Sequence, residues 1–195
     1  MKKEEIINQI IQERKSVYPI QYIDKEIPQE IILQILENAD RAPTHKLTEP
    51  WRFKVVSGNK KNQLAEFLSS KYKQITASEN YKEDKYNKIE SNINRADKII
   101  LICFQKDPKN QLPEWEEIAA TAMAVQNMYL TCTAYNIGCY WSSPNLIEYI
   151  NEFIPLENGE KCIGLFYMVY YIVYYNVNLP ISKISPLSAK INWYN

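Results

Sequence analysis

The sequence predicts a mixed α and β chain, and three observations carry that reading. Apolar residues recur at helical spacing in two stretches near the start, at Ile6, Ile7, Ile10 and Ile11 and again at Ile32, Ile35, Leu36 and Ala39. Short β-type runs follow, above all 99–104 and 161–169, each bounded by polar or turn residues. The 195 residues, 46% hydrophobic and 24% charged, suffice for a packed core. We read them as a single domain, 1–195, with 176–195 as an extended tail.

The elements follow in order. A first helix over 2–13 stops before Arg14-Lys15-Ser16. In the second, Pro28 suits the first turn and Pro43 forbids continuation, because its ring blocks the helical backbone. Residues 51–57 alternate as a strand, Gly58-Asn59 turns, and 60–72 returns as a helix. Residues 73–97 are polar and weakly periodic, which predicts exposed helix or a mobile segment. From 118 to 147 no charge occurs, and the first part is apolar on more than one face, the pattern of a helix clamped between the core and a partner subunit. Gly138 is expected to end it, with a short strand at 139–142, a helix over 144–153 and a strand at 161–169. The tail carries three serines and two prolines and is expected to reach away from the core.

Composition excludes several functions. Lys plus Arg (23) balances Asp plus Glu (23), so no net field draws the chain to nucleic acid or an anionic membrane. The balance hides a split: from Asn110 onward there are 7 acidic and 3 basic residues, which leaves the first 109 with an excess of cations where an anion would bind. Only four glycines occur, too few and too scattered for a dinucleotide fingerprint or a P-loop. The single histidine, His45, removes metal sites built on two imidazoles, and the four cysteines contain no CxxC pair, so they read as core thiols. The start is charged and amphipathic rather than a secretory signal, and no stretch reaches the ~18 apolar residues of a membrane span, so a cytoplasmic location is expected.

Candidate binding residues stand in three places. Arg14, Lys15 and Ser16 put two cations and a hydroxyl in one turn, suited to a phosphate or carboxylate, although cations at a helix C-terminus also need no ligand. Arg41 and His45 bracket Pro43; a structural histidine bonded to a nearby carbonyl is the alternative. Trp141, Ser142 and Ser143 offer a flat apolar face beside hydroxyls, as a planar cofactor requires, though a buried tryptophan also serves as plain core. Glu114, Glu116 and Glu117 do not face one another on a helix and suit its first turn instead.

Taken together and in order, these pieces resemble a known family. Arg14-Lys15-Ser16, the loop Arg41-Ala42-Pro43-Thr44-His45-Lys46 with Pro50-Trp51-Arg52-Phe53, Trp115 opening the uncharged helix, and Ile137-Gly138-Cys139-Tyr140-Trp141-Ser142-Ser143 resemble the nitroreductase family of FMN-dependent oxidoreductases. The match runs from about residue 6 to 168 and looks especially like the short members with an Ala-Pro-x-His-Lys loop. The resemblance implies an α+β fold, a central mostly antiparallel sheet flanked by helices, in a homodimer holding two FMN at its interface. It assigns Arg14, Lys15 and Ser16 to the FMN phosphate and ribityl chain, Arg41 and His45 to a loop that reaches FMN, and Trp141, Ser142 and Ser143 to the isoalloxazine. Where the family has an Arg before Pro-Leu in its tail, this chain has Ile184, and Lys183 stands in as the phosphate cation. Leu47 and Glu49 replace the Asn and Gln common in the loop.

The implied activity takes hydride from NADH or NADPH to flavin N5 and reduces a nitroaromatic, quinone or similar small molecule in a ping-pong cycle. The flavin carries the chemistry, so no catalytic side chain and no metal is required. Two alternatives stay open: a flavin-binding relative with other chemistry, such as dehalogenation or flavin storage, and a dimeric interaction module that has lost FMN.

Overall fold

The computed structural model describes residues 2–170 and 185–194; Lys183 and residues 176–184 of the expected tail lie outside the described residues. Helices α1 (Lys3–Glu13), α2 (Gln29–Ala39), α3 (Gly58–Ile75), α4 (Glu83–Arg95) and α5 (Glu114–Ala134) surround strands β1 (Trp51–Val56), β2 (Lys98–Gln105), β3 (Ile137–Ser142) and β4 (Glu160–Tyr170). The strands form one antiparallel sheet in the order β1-β2-β4-β3. The mixed α and β architecture is the one expected.

β2 lies inside the sheet because its six inner residues, Ile99 to Phe104, are buried on both faces. On one face Ile100, Ile102, Phe166 and Met168 pack against α2 and α5, while on the other Ile99, Leu101, Leu165 and Tyr167 pack against α3, α4 and a 3-10 segment at Asn145–Glu152. The result is three layers around two apolar seams. All four cysteines are free thiols, three of them buried. Cys103 and Cys162 stand opposite one another on β2 and β4. A hydrogen bond between these two thiols, followed by burial, holds the Cys103 thiol protonated far above its ordinary range.

Several boundaries differ from the sequence reading, each for a local reason. α3 starts at Gly58, whose φ of +53° lets the turn run straight into the helix. Residues 83–95 form helix α4, whose sequence pattern is weak because only Ile93 is buried. α5 ends at Ala134, four residues before Gly138. Asn136 takes the left-handed conformation there (φ +55°), as asparagine tolerates, and Gly138 lies inside β3 opposite Val169. Residues 145–152 coil as a 3-10 helix rather than an α-helix.

α5 divides between the core and an open side. Val125 is 1% exposed and Tyr129 packs edge-on against Phe166, while Ala122 is half-buried. The side of α5 turned away from the buried Ala124, Met128 and Thr131 stays open, with Trp115 and Met123 exposed, and no residue of α1 is buried although Ile6, Ile7 and Ile11 share that helix. Residues 185–194 are exposed throughout.

Candidate functional site

α1 stops where Arg14 leaves helical geometry (φ −57°, ψ 122°), and the chain then runs along the free edge of β3, with the Val17 N–H donating to the Cys139 carbonyl at 3.0 Å. This attachment sets the Arg-Lys-Ser segment beside α5. The Arg14 guanidinium lies 5.6 Å over the Tyr129 ring, and the Ser16 hydroxyl lies near enough to the Tyr129 phenol to draw its pKa down against the larger effect of burial. The same phenol accepts the Trp141 backbone N–H at 2.6 Å. Burial raises the Tyr129 pKa, so its hydroxyl stays protonated and acts as a neutral hub joining Ser16 to Trp141. Among the described residues no carboxylate pairs with Arg14, which leaves its charge available to an anion.

Trp141 is placed by a defect in the sheet. Ile102 pairs with Gly164 and Cys103 with Cys162, so Ile163 is an extra residue, a β-bulge in β4. The bulge offers the Ile163 carbonyl to the indole N–H at 3.3 Å, and the indole rests on Gly164. A Cβ on Gly164 would lie 1.8 Å from the Trp141 Nε1 and 2.5 Å from Cδ1. Gly164→Ala is therefore expected to expel the indole, costing about 1–3 kcal/mol of stability as overpacking does. Urea unfolding combined with tryptophan fluorescence checks both the loss and the new exposure.

Ser142, next along β3, points to the opposite face and lines a cavity of about 960 Å³ between α3, α4 and the end of β3. Tyr140 and Tyr167, stacked at 4.6 Å and 14° from parallel, line it together with Asn145. Tyr18 tilts against Tyr140 at 5.2 Å, which connects the segment after Arg14 to the mouth of this cavity. Burial pushes the Tyr140 pKa up to about 12, so this wall is uncharged at neutral pH. Arg14, Ser16, Trp141 and Ser142 thus form one neighbourhood at the β3 edge. Lys15 is exposed beside them, and Ser143 follows at the end of the strand.

The loop after α2 goes elsewhere within the chain. Arg41 lines a hollow of about 270 Å³ with Asn38, Asn127, Leu130 and Thr131. His45 donates from Nδ1 to the Glu116 carboxylate, 2.7 Å away, instead of to a backbone carbonyl. Glu116 stands thirteen residues before Tyr129 on α5, about 20 Å along the helix axis. One chain alone does not bring His45 to Arg14. The loop is nevertheless tightly specified: Lys46, Leu47 and Glu49 all have positive φ (53°, 53° and 42°), a strain that persists where surroundings over-determine it and that clusters at ligand clamps. Glu49 is exposed. The three acids of α5 separate as expected, Glu114 to Lys161, Glu116 to His45 and Glu117 to the Asp107 N–H.

Sequence reasoning missed Tyr129 and Tyr140 as site residues. The signal for Tyr129 was present, since a phenol on a helix that is otherwise small and apolar needs a polar partner once buried. Tyr140 carried no such signal among fifteen tyrosines.

Comparison with known proteins identifies the fold and the family. The chain is 28% identical over 163 residues to YfhC of Bacillus subtilis strain 168, a provisionally named NAD(P)H nitroreductase, covering 80% of this chain and 79% of that one. A nitroreductase-like family protein from Bacillus cereus superposes with a TM-score of 0.78 at 25% identity, covering 96% of this chain and 95% of the other. The FMN-dependent nitroreductase NfnB of Mycobacterium smegmatis, solved with NADPH, superposes with a TM-score of 0.80 at 17% identity over 100% of both chains. The sequence profile of the nitroreductase family matches residues 11–170, and the chain belongs to that family.

Proposed function

We propose that the protein is a cytoplasmic FMN-dependent NAD(P)H oxidoreductase, a single domain that works as a homodimer. The observation that carries this reading is the convergence of Arg14, Ser16 and Trp141 on the Tyr129 phenol. The donor set fits the cofactor: an unpaired guanidinium and a hydroxyl for a phosphate, an adjoining strand end at Ser142 and Ser143 for a planar ring, and a cavity large enough for a ring and a substrate. FMN bound there would supply the redox chemistry, accepting hydride from NADH or NADPH and passing the electrons to a nitroaromatic or quinone in a ping-pong cycle.

The chain's own residues bind and orient. Arg14 and Ser16, with Lys15, hold the phosphate and ribityl end; Ser142 and Ser143 present polar groups to the ring edge; Trp141 braces the strand beneath them. Arg41 and His45 serve the site of the second subunit, a role supported by the strained backbone of residues 46–49 and by the 20 Å or so that separates their own α5 contact from Arg14. Lys183 is assigned to the phosphate as well. The exposed apolar residues of α1, together with Met123, Trp193 and Tyr194, supply the surface a partner subunit would cover.

Arg14→Ala tests the assignment. Loss of a charge-assisted hydrogen bond costs about 1.5–3 kcal/mol, so FMN affinity should fall roughly ten- to a hundredfold, with hydride transfer at saturating FMN little changed. Unchanged affinity in a fluorescence titration with FMN would put the phosphate elsewhere.

A further inference from the structure

The cavity beyond Ser142 has a second chemical character that the flavin reading does not use. Lys82, Lys85 and Lys88 all line it, and no Asp or Glu does. Their spacing of three keeps them on one side of α4, across about 9 Å of helix. Among the described residues none of the three takes part in an ion pair, although Glu83, Asp84 and Glu90 share the helix. Glu83 is instead held by the Tyr81 hydroxyl at 2.6 Å. Two contacts fix the row in place: the Lys82 N–H donates to the Tyr72 hydroxyl at 3.0 Å, and the Lys85 ammonium sits 4.8 Å over the Tyr72 ring. On the sheet side of the cavity the half-buried Tyr140 ring, backed by the buried Tyr167 ring stacked on it, supplies the aromatic wall.

We propose that this cavity binds a small aromatic electron acceptor bearing an anionic substituent, a carboxylate in the simplest case, with its ring against the tyrosine wall and its charge on Lys85 and Lys88. The proposal rests on the flavin reading for turnover, since the cavity opens beside Ser142, but not for binding. A conjugated ring with a charge at one end matches a cavity with an aromatic wall on one side and a cation row on the other. The 2′-phosphate of NADPH is the rival source of anionic charge. The two differ in what they ask of the lysines: an acceptor needs them for its own charge, whereas a 2′-phosphate would make them discriminate NADPH from NADH.

The test is isothermal titration of the purified full-length protein with 4-nitrobenzoate and with neutral 4-nitrobenzyl alcohol, for wild type and the exposed-site double variant Lys85→Gln/Lys88→Gln. The wild type should prefer the carboxylate about two- to fivefold, the upper part of the range for solvent-exposed charge pairs, and the preference should shrink with added salt. The double variant should lose the preference, and its ratio of NADPH to NADH KM should match that of the wild type. Equal affinity for both probes in the wild type, or a preference that survives in the double variant, overturns the proposal. A changed NADPH to NADH ratio also overturns it by assigning the lysines to the reductant. Flavin absorbance is read separately on the same samples: a colourless protein that prefers 4-nitrobenzoate in this way supports the site while refuting the flavin reading, and a yellow protein without the preference does the reverse.

Discussion

Phe166→Ala is expected to lower the free energy of unfolding by about 3–5 kcal/mol, a large share of the 5–15 kcal/mol typical of a whole domain. Phe166 is fully buried in β4, opposite Trp141 in the sheet register, and its ring meets Tyr129 edge-on at 5.0 Å. The substitution opens a cavity in the seam between the sheet and α5. It also removes the wall that fixes the Tyr129 phenol, on which Ser16 and the Trp141 N–H both depend. Urea unfolding should show a lower midpoint with an unchanged slope, and FMN affinity should fall because Phe166 supports both Tyr129 and its cross-strand partner Trp141. A loss of stability without any loss of affinity would mean that the hub is held by its hydrogen bonds alone.

The second large effect concerns assembly. Met123→Glu is expected to turn the proposed homodimer into a monomer at micromolar concentration. Met123 is 41% exposed in the single chain, so a charge there leaves the chain's own core intact. Across a two-fold axis the same change places two carboxylates in a buried contact, which obligate interfaces of about 2,000 Å² or more do not tolerate. Val125→Glu is the wrong experiment, because that side chain is 1% exposed and its substitution would unfold the protomer instead. If the two subunits share the cofactor, the monomeric variant should also release FMN. Sedimentation velocity showing a dimer for Met123→Glu would move the interface to another face.

How much of this was legible in the sequence depended on what each residue signals locally. β2 could be read directly, because a strand buried on both faces is an unbroken apolar run. The second helix was legible too: Ile32, Ile35 and Ala39 are buried at the spacing that predicts them. α4 was legible only in part: an exposed helix was one of two readings of 73–97, but its bounds carried no signal, since it buries only Ile93 and its cavity-lining face tolerates polar residues. The end of α5 was misjudged because a glycine signals termination more strongly than an asparagine, yet Asn136 took the left-handed position and Gly138 entered the sheet.

The site shows the same division. Arg14, Ser16, Trp141 and Ser142 were found as motifs, and the fold gathers them at the β3 edge. The means of gathering were invisible: a bulge at Ile163 and the fit of an indole onto Gly164 depend on strand register, which no local pattern states. His45 was read as reaching the cofactor, with a nearby carbonyl as the alternative partner; within the chain it pairs with Glu116, a long-range contact that no local pattern states. The lysine row of α4 carried no signal of its own, because nothing in the sequence says what lies opposite it.

The most direct test of the central claim is the visible absorbance of the purified protein before and after FMN is added. The arrangement of Arg14, Ser16, Trp141 and Ser142 predicts a yellow protein that retains about one FMN per chain through gel filtration. A colourless protein that remains colourless after incubation with FMN would contradict it.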